Sequence, residues 1–186
     1  MTKGDKKSFT RALTAGLIAL GLLLALDQFT KYLAYRDLRA GGPFVIWPGV
    51  FELRYLQNVG AAFGIFQNRQ WVFILFAVVV TLAAGGCFIR LSAPLGQTVP
   101  KGSGEHKSRK AVPMQVVCIL LMAGALGNMV DRVLHRYVID FLYISLIDFP
   151  IFNVADIYVC AGTALFLFLT LFYYRDSDLE RLLKRR

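Results

Sequence analysis

Charge is scarce in this chain: Asp, Glu, Lys and Arg make up 18% of its 186 residues, hydrophobic residues make up 56%, and the mean hydropathy is +0.54. Soluble domains carry about a quarter charged residues, so an ordinary soluble fold is excluded. Cysteine is sparse as well. Cys87, Cys118 and Cys160 are odd in number, lie in apolar stretches and lack C-x-x-C spacing, which argues against a disulfide framework or a zinc site. They read as small buried hydrophobes. The two histidines, His106 and His135, have no cysteine or serine partner suggested by spacing and read as solvated surface residues. No H-E-x-x-H, G-x-S-x-G or P-loop occurs, and there is no internal repeat.

What the chain does contain is four apolar runs, at about 12–32, 71–89, 111–130 and 157–174, each approaching the roughly 20 residues that cross a bilayer. All four are expected to be helices, because a backbone in lipid must satisfy its own hydrogen bonds. Lys3, Lys6, Lys7 and Arg11 precede the first run as they would in a signal peptide. No A-x-A-like cleavage site follows, however, so the first run is expected to stay as a span.

The net charge of +9 is a topology signal. The segment before the first span, the 90–110 loop and the 175–186 tail hold 14 of the 21 Lys and Arg residues. By the positive-inside rule these three segments are cytoplasmic. The other face carries seven acids and seven bases, so the whole basic excess lies on the cytoplasmic side, where it suits anionic lipid rather than nucleic acid. Gly, Pro, Ser and Lys give the loop from Ser92 to Lys110 the look of a flexible linker.

On the outer side, Phe44 to Gln57 partly alternates, with Phe51, Leu53 and Tyr55 opposite Glu52 and Arg54 and a break at Pro48-Gly49. That pattern suggests a short amphipathic β ribbon. The aromatic stretch from Phe141 to Phe152 is too short to span and is expected at the outer interface.

Ionisable groups at membrane depth are costly, and here they gather at the outer span ends. Asp27 and Lys31 are four apart and able to pair on one helix face. Asn58 and Gly60 open an N-x-G-A-A-F run, where an amide is set beside small residues that allow close approach. In G-x-x-G-N-x-x-D-R, Gly124, Asn128 and Asp131 share a face while Arg132 points to another side; helix packing with an interfacial charge pair explains this motif equally well. Asp140 sits in V-I-D-F, where apolar neighbours raise a carboxyl pKa. Asp156 closes F-N-V-A-D, and Asn153 three residues earlier is placed to cap the fourth helix, with Asp156 completing the cap. A cap alone leaves Asp140 unexplained. Two aspartates sharing a proton supply one acid and one base near neutral pH, and the helix N-terminus favours charge on Asp156.

Five motifs in order, D-Q-F-T-K (27–31), N-V-G-A-A-F (58–63), G-A-L-G-N-M-V-D-R (124–132), V-I-D-F (138–141) and F-N-V-A-D (152–156), resemble the lipoprotein signal peptidases, or signal peptidase II. The resemblance implies a single-domain all-α bundle of four transmembrane helices with a small extracytoplasmic β-cradle and an interfacial segment. It implies an aspartic endopeptidase of the bacterial cytoplasmic membrane, active as a monomer without cofactor or metal. Such an enzyme cleaves diacylglyceryl-modified prolipoproteins before the lipidated cysteine. Asp140 and Asp156 match the family's catalytic pair, and Asp27, Lys31, Asn58, Gly60, Asn128, Asp131, Arg132, Asn153 and Ala155 match positions that line or support the site. Arg132, Asn128 and Asn58 have the donors to hold substrate backbone or an oxyanion. The rival readings are a small proton-coupled transporter, which needs acids deep in the spans or helices broken at the midplane, and a non-catalytic membrane scaffold.

Overall fold

A computed structural model describes residues 3–60, 69–93, 103–175 and 177–178. Four of its helical segments are long and apolar enough to cross a membrane: Gly4–Gly41, Gln70–Ser92, Ala111–His135 and Val154–Tyr173. Helix α1 (Lys3–Leu33) runs through a π-helical turn at Ala34–Leu38 into the short α2 (Arg39–Gly41). Helix α3 is Gln70–Ser92, α4 is Ser103–His135, and α5 is Val154–Phe168 followed by a second π-helical turn at Leu169–Tyr173. Large side chains such as Leu17, Leu22, Phe76, Leu82, Leu171 and Phe172 are exposed on the outside of the bundle. Such a surface belongs in hydrocarbon, where an apolar exterior has no cost and small residues set the helix contacts.

Helix α4 is central and packs on α3, α5 and α1. Its interior contacts at the end away from the sheet are apolar, with Phe88 and Leu91 of α3 against Met114, Val117 and Cys118. Gly16 of α1 lies directly under the Phe88 ring, with no room for a Cβ.

At the other end sits a three-stranded antiparallel sheet, β1 (Phe44–Trp47), β2 (Phe51–Asn58) and β3 (Val138–Tyr143), in the order β1-β2-β3. Gly49, at φ +71°, makes the turn between the first two strands, a conformation that suits a residue without Cβ. In β2 and β3, Leu56 is opposite Asp140 and Asn58 opposite Val138. Side chains alternate across a strand. Ile139 and Phe141 therefore bury against Ala34 and Leu38 of the α1 extension, while Asp140 turns to the other side.

The structure corrects several expectations. The first run, expected over about 12–32, lies within α1, which ends at Leu33; the chain continues in a π-helical turn because Ala34 and Leu38 cover the apolar face of the sheet. The linker expected from Ser92 to Lys110 is shorter: α3 continues through Ser92, and α4 starts at Ser103 among good helix formers such as Glu105, Lys107 and Arg109. The Phe141–Phe152 stretch begins as a buried strand, and only its later part, with Leu146, Ile147 and Phe149, is exposed. Among the cysteines Cys118 is buried, but Cys87 and Cys160 are exposed, since apolar side chains in a membrane bundle can be covered by lipid instead of protein. His135 is exposed. Ala61, Ala62 and Phe63, the 94–102 part of the linker and most of the tail lie outside the described residues, as does the side chain of His106.

Candidate active site

The site is assembled from α1, the start of α3, α4, α5 and strands β2 and β3, all at the sheet end of the bundle. Its base is a buried ion cluster. Lys31, 1% exposed, places Nζ 2.9 Å from Asp27 Oδ2 and 3.1 Å from Asp131 Oδ2. Asp131 is thus the partner of Lys31 across two helices, not of its neighbour Arg132. A buried pair of this kind is stable only when its remaining lone pairs are satisfied. Here Asp27 Oδ1 accepts from the Ala155 backbone N–H at 2.9 Å, and Asp131 Oδ2 accepts from Ile139 N–H at 3.0 Å. Gln28 donates to Asp27 Oδ2, to Asp131 Oδ1 and to the Gly127 carbonyl at 3.1, 3.1 and 3.2 Å. This cluster therefore ties α1, α4, α5 and β3 together.

The glycines of α4 make that closeness possible. A Cβ on Gly127 would lie 2.6 Å from Asp27 Oδ2, and one on Gly124 would lie 2.5 Å from the Ala155 carbonyl oxygen.

Above the cluster a chain of amides leads to the two acids. Lys31 donates to Asn128 Oδ1 at 3.0 Å, and Asn153 Nδ2 donates to the same oxygen at 3.0 Å. With its oxygen so occupied, Asn128 turns its nitrogen outward and donates to Asp156 Oδ1 at 2.8 Å. Asn153 Nδ2 also donates to Asp140 Oδ1 at 2.6 Å. The remaining oxygen of Asp140 accepts from Asn58 Nδ2 at 2.8 Å, and the Gly60 backbone N–H fixes the Asn58 amide by donating to its Oδ1 at 3.0 Å.

Asn153 is also the N-cap of α5. Its side chain accepts from Asp156 N–H at 3.1 Å, and Asp156 Oδ2 accepts from the Asn153 backbone N–H at 3.1 Å, forming a capping box. The cap and the site are one arrangement: the box fixes the carboxylate of Asp156 by one oxygen and leaves the other on Asn128. Asn58 and Asn128 each commit one N–H to a carboxylate, so their first task is to hold the acids.

Asp140 is 1% exposed. Burial, followed by the nearby charge of Asp156, pushes its carboxyl from an ordinary 3.8 up to about 7, against the opposing pull of Asn58, Asn153 and Lys31. A carboxyl in that range is still partly protonated near neutrality, so it can serve as an acid there.

Asp140 and Asp156 both line a groove of about 820 Å³, together with Asn58, Gly60, Asn128 and Arg132. Its apolar lining includes Phe73, Phe149, Phe152, Ile157 and Cys160, so polar and apolar groups share the groove. Asp27, Lys31, Asp131, Asn153 and Ala155 stand behind the lining. Among the described residues no group of three His, Cys, Asp or Glu side chains is placed to hold a metal. Gln28 and Phe73 were not singled out from sequence. Gln28 lies inside the D-Q-F-T-K motif and so carried a signal; Phe73 is one aromatic among many in an apolar run.

The chain is similar to known proteins of one family. The family described as signal peptidase (SPase) II matches residues 19–172. The lipoprotein signal peptidase of Brevibacillus brevis is 38% identical over 146 residues, 78% of this chain and 87% of the relative. That of Streptococcus pyogenes serotype M1 is 36% identical over 153 residues, 81% of this chain and 89% of the relative. Two bacterial membrane enzymes solved by the in meso method, at 2.3 and 1.9 Å, superpose with TM-scores of 0.69 and 0.68. Their identities are 30% and 29%, over 85% and 87% of this chain and 88% and 95% of theirs.

Proposed function

The chain belongs to the signal peptidase II family, and from that premise we propose that it is an aspartic endopeptidase that removes signal peptides from diacylglyceryl-modified prolipoproteins, with Asp140 and Asp156 as its catalytic pair. The observation that carries the assignment is the convergence of these two acids, 16 residues apart in sequence, on one groove through the Asn153–Asn128 amides.

Asp156, held by Asn128 and by its own cap, takes a proton from a water whose oxygen attacks the scissile carbonyl. Asp140, protonated, gives its proton to the departing amine as the C–N bond breaks. The proton gained by Asp156 then returns the pair to its starting state. Arg132 keeps N–H donors for the carbonyl oxygen as it becomes negative. Cleavage before the lipidated cysteine is what the family resemblance implies; because the acyl chains of such a substrate lie in the outer leaflet and its signal helix crosses the membrane, the scissile bond would sit at the outer interface.

The distribution of Lys and Arg supports cytoplasmic ends and an extracytoplasmic site. Membrane lipid would surround the enzyme, and one chain supplies the whole lining of the groove, so the proposed site needs no residue from a second copy. A proton-coupled transporter would need acids along the spans, whereas Asp27, Asp131, Asp140 and Asp156 all gather at the level of the first turn of α5.

The test is cleavage of a diacylglyceryl prolipoprotein by the purified chain in lipid vesicles, with the products identified by mass. The expected product begins at the lipidated cysteine and is lost in Asp140→Asn. Cleavage elsewhere, or near-full turnover by that variant, contradicts the proposal.

A further inference from the structure

Arg132 has donors to spare. Its Nη1 donates only a long 3.3 Å bond to the Asn128 carbonyl, and its Nε is buried with no hydrogen-bond partner among the described residues. It takes part in none of the ion pairs found among them, although the fields of Asp156, Asp140 and Asp131 all reach it. Guanidinium and carboxylate groups fit each other as two-pronged forks. An arginine free to rotate beside these acids would therefore be drawn into such a pair, neutralising the base and occupying its own donors.

What stands against that rotation is Phe73. Its ring centroid lies 4.6 Å from Arg132 Cζ, within the range of a cation–π contact. Phe73 sits in the first turn of α3 and is the one described residue of that helix that lines the groove.

We propose that Phe73 is a positioning residue, whose ring holds the Arg132 guanidinium against α3 and away from Asp140 and Asp156, so that its free N–H groups meet the substrate carbonyl. This rests on the aspartic peptidase reading above. It gives α3 a role in the chemistry that its apolar sequence does not announce.

A wall residue that merely touches the lipid of the substrate would act differently. Its loss would weaken binding whether or not Arg132 is present. A residue acting through Arg132 has nothing left to do once the guanidinium is gone.

The experiment is a double-mutant cycle on the full chain in vesicles, reading kcat and KM for a diacylglyceryl prolipoprotein with Phe73→Leu, Arg132→Gln and the pair. Phe73→Leu is expected to lower kcat about tenfold with KM changed less than about twofold, the size expected for loss of a partly desolvated cation–π contact. Phe73→Trp, which keeps a π face, is expected to stay near wild type. In the Arg132→Gln background Phe73→Leu is expected to have no further effect. Equal losses in both backgrounds, a loss confined to KM, or a Phe73→Trp variant as poor as Phe73→Leu would overturn the proposal. Phe73→Met, which keeps apolar bulk without a ring, gives the same cycle should the leucine variant not accumulate. Asp140→Asn run alongside separates the two claims: activity surviving there defeats the peptidase reading, whereas additivity with Asp140→Asn inactive defeats only the role of Phe73.

Discussion

Lys31 holds an ammonium in a space closed to solvent, with a carboxylate on either side and the Asn128 amide above it. Removing one member of such a cluster leaves the others charged and unpaired, which is costlier than never having built it. Lys31→Met is therefore expected to destabilise the protein by about 3 to 5 kcal/mol, seen as a lower thermal unfolding midpoint in detergent. Loss of less than about 1 kcal/mol, the range of surface pairs, would show that the cluster is not closed to water. Asp140 gives a second prediction at this scale. Its folded value of about 7 lies above its ordinary 3.8, so the folded protein keeps a proton that the unfolded chain releases. The stability contributed by that proton is fully present below pH 3.8 and is lost as pH rises through about 7. Asp140→Asn is expected to flatten that fall in the unfolding midpoint, and an unchanged slope would contradict the assignment. The acids were legible in the sequence because a charge is conspicuous in an apolar chain. Their partners were less so: spacing pairs Asp27 with Lys31, but the contact from Lys31 to Asp131 spans 100 residues, and only the fold brings Gln28 onto both carboxylates.

At the scale of elements, the four spans were legible because a bilayer demands long apolar helices. Their ends were not, since helices stop where partners stop. The first helix continues past Leu33 because the sheet offers Ile139 and Phe141 to Ala34 and Leu38, and that pairing is invisible along the chain. Helix α4 begins before Ala111, although Pro113 would suit a first helical turn there. Strand β3 was missed because V-I-D-F is too short to show a period and its edge contacts come from β2 and from the Phe152 bridge. The β ribbon, by contrast, was marked by alternation and by the Pro-Gly turn. Gly124 was legible as a close-packing residue, and its environment gives a prediction. A Cβ there meets the Ala155 carbonyl oxygen and Val159, and backbone cannot move aside as a flexible side chain can. Gly124→Ala should push α5 away from α4 and cost about 1 to 3 kcal/mol, with activity falling because Asn153 and Asp156 travel with α5. An alanine variant as stable and active as the parent would show that the helices separate without disturbing the site.

For the whole molecule, the bundle turns apolar side chains outward and keeps its buried charges at the sheet end, beside a groove lined by apolar side chains and two acids. The sheet supplies Asp140 and Asn58, the helices supply Asn128, Arg132 and Asp156, and Asn153 joins the two sets as the N-cap of α5. The central claim is that Asp140 and Asp156 act as a unit on one water. Residues that act as a unit are strongly non-additive. The direct measurement is the turnover of a diacylglyceryl prolipoprotein by Asp140→Asn, Asp156→Asn and the double variant, each confirmed as folded. The account predicts that each single change lowers kcat by about a thousandfold or more and that the double variant is no slower than the slower single one. Single losses of a few fold that multiply in the double variant would contradict it.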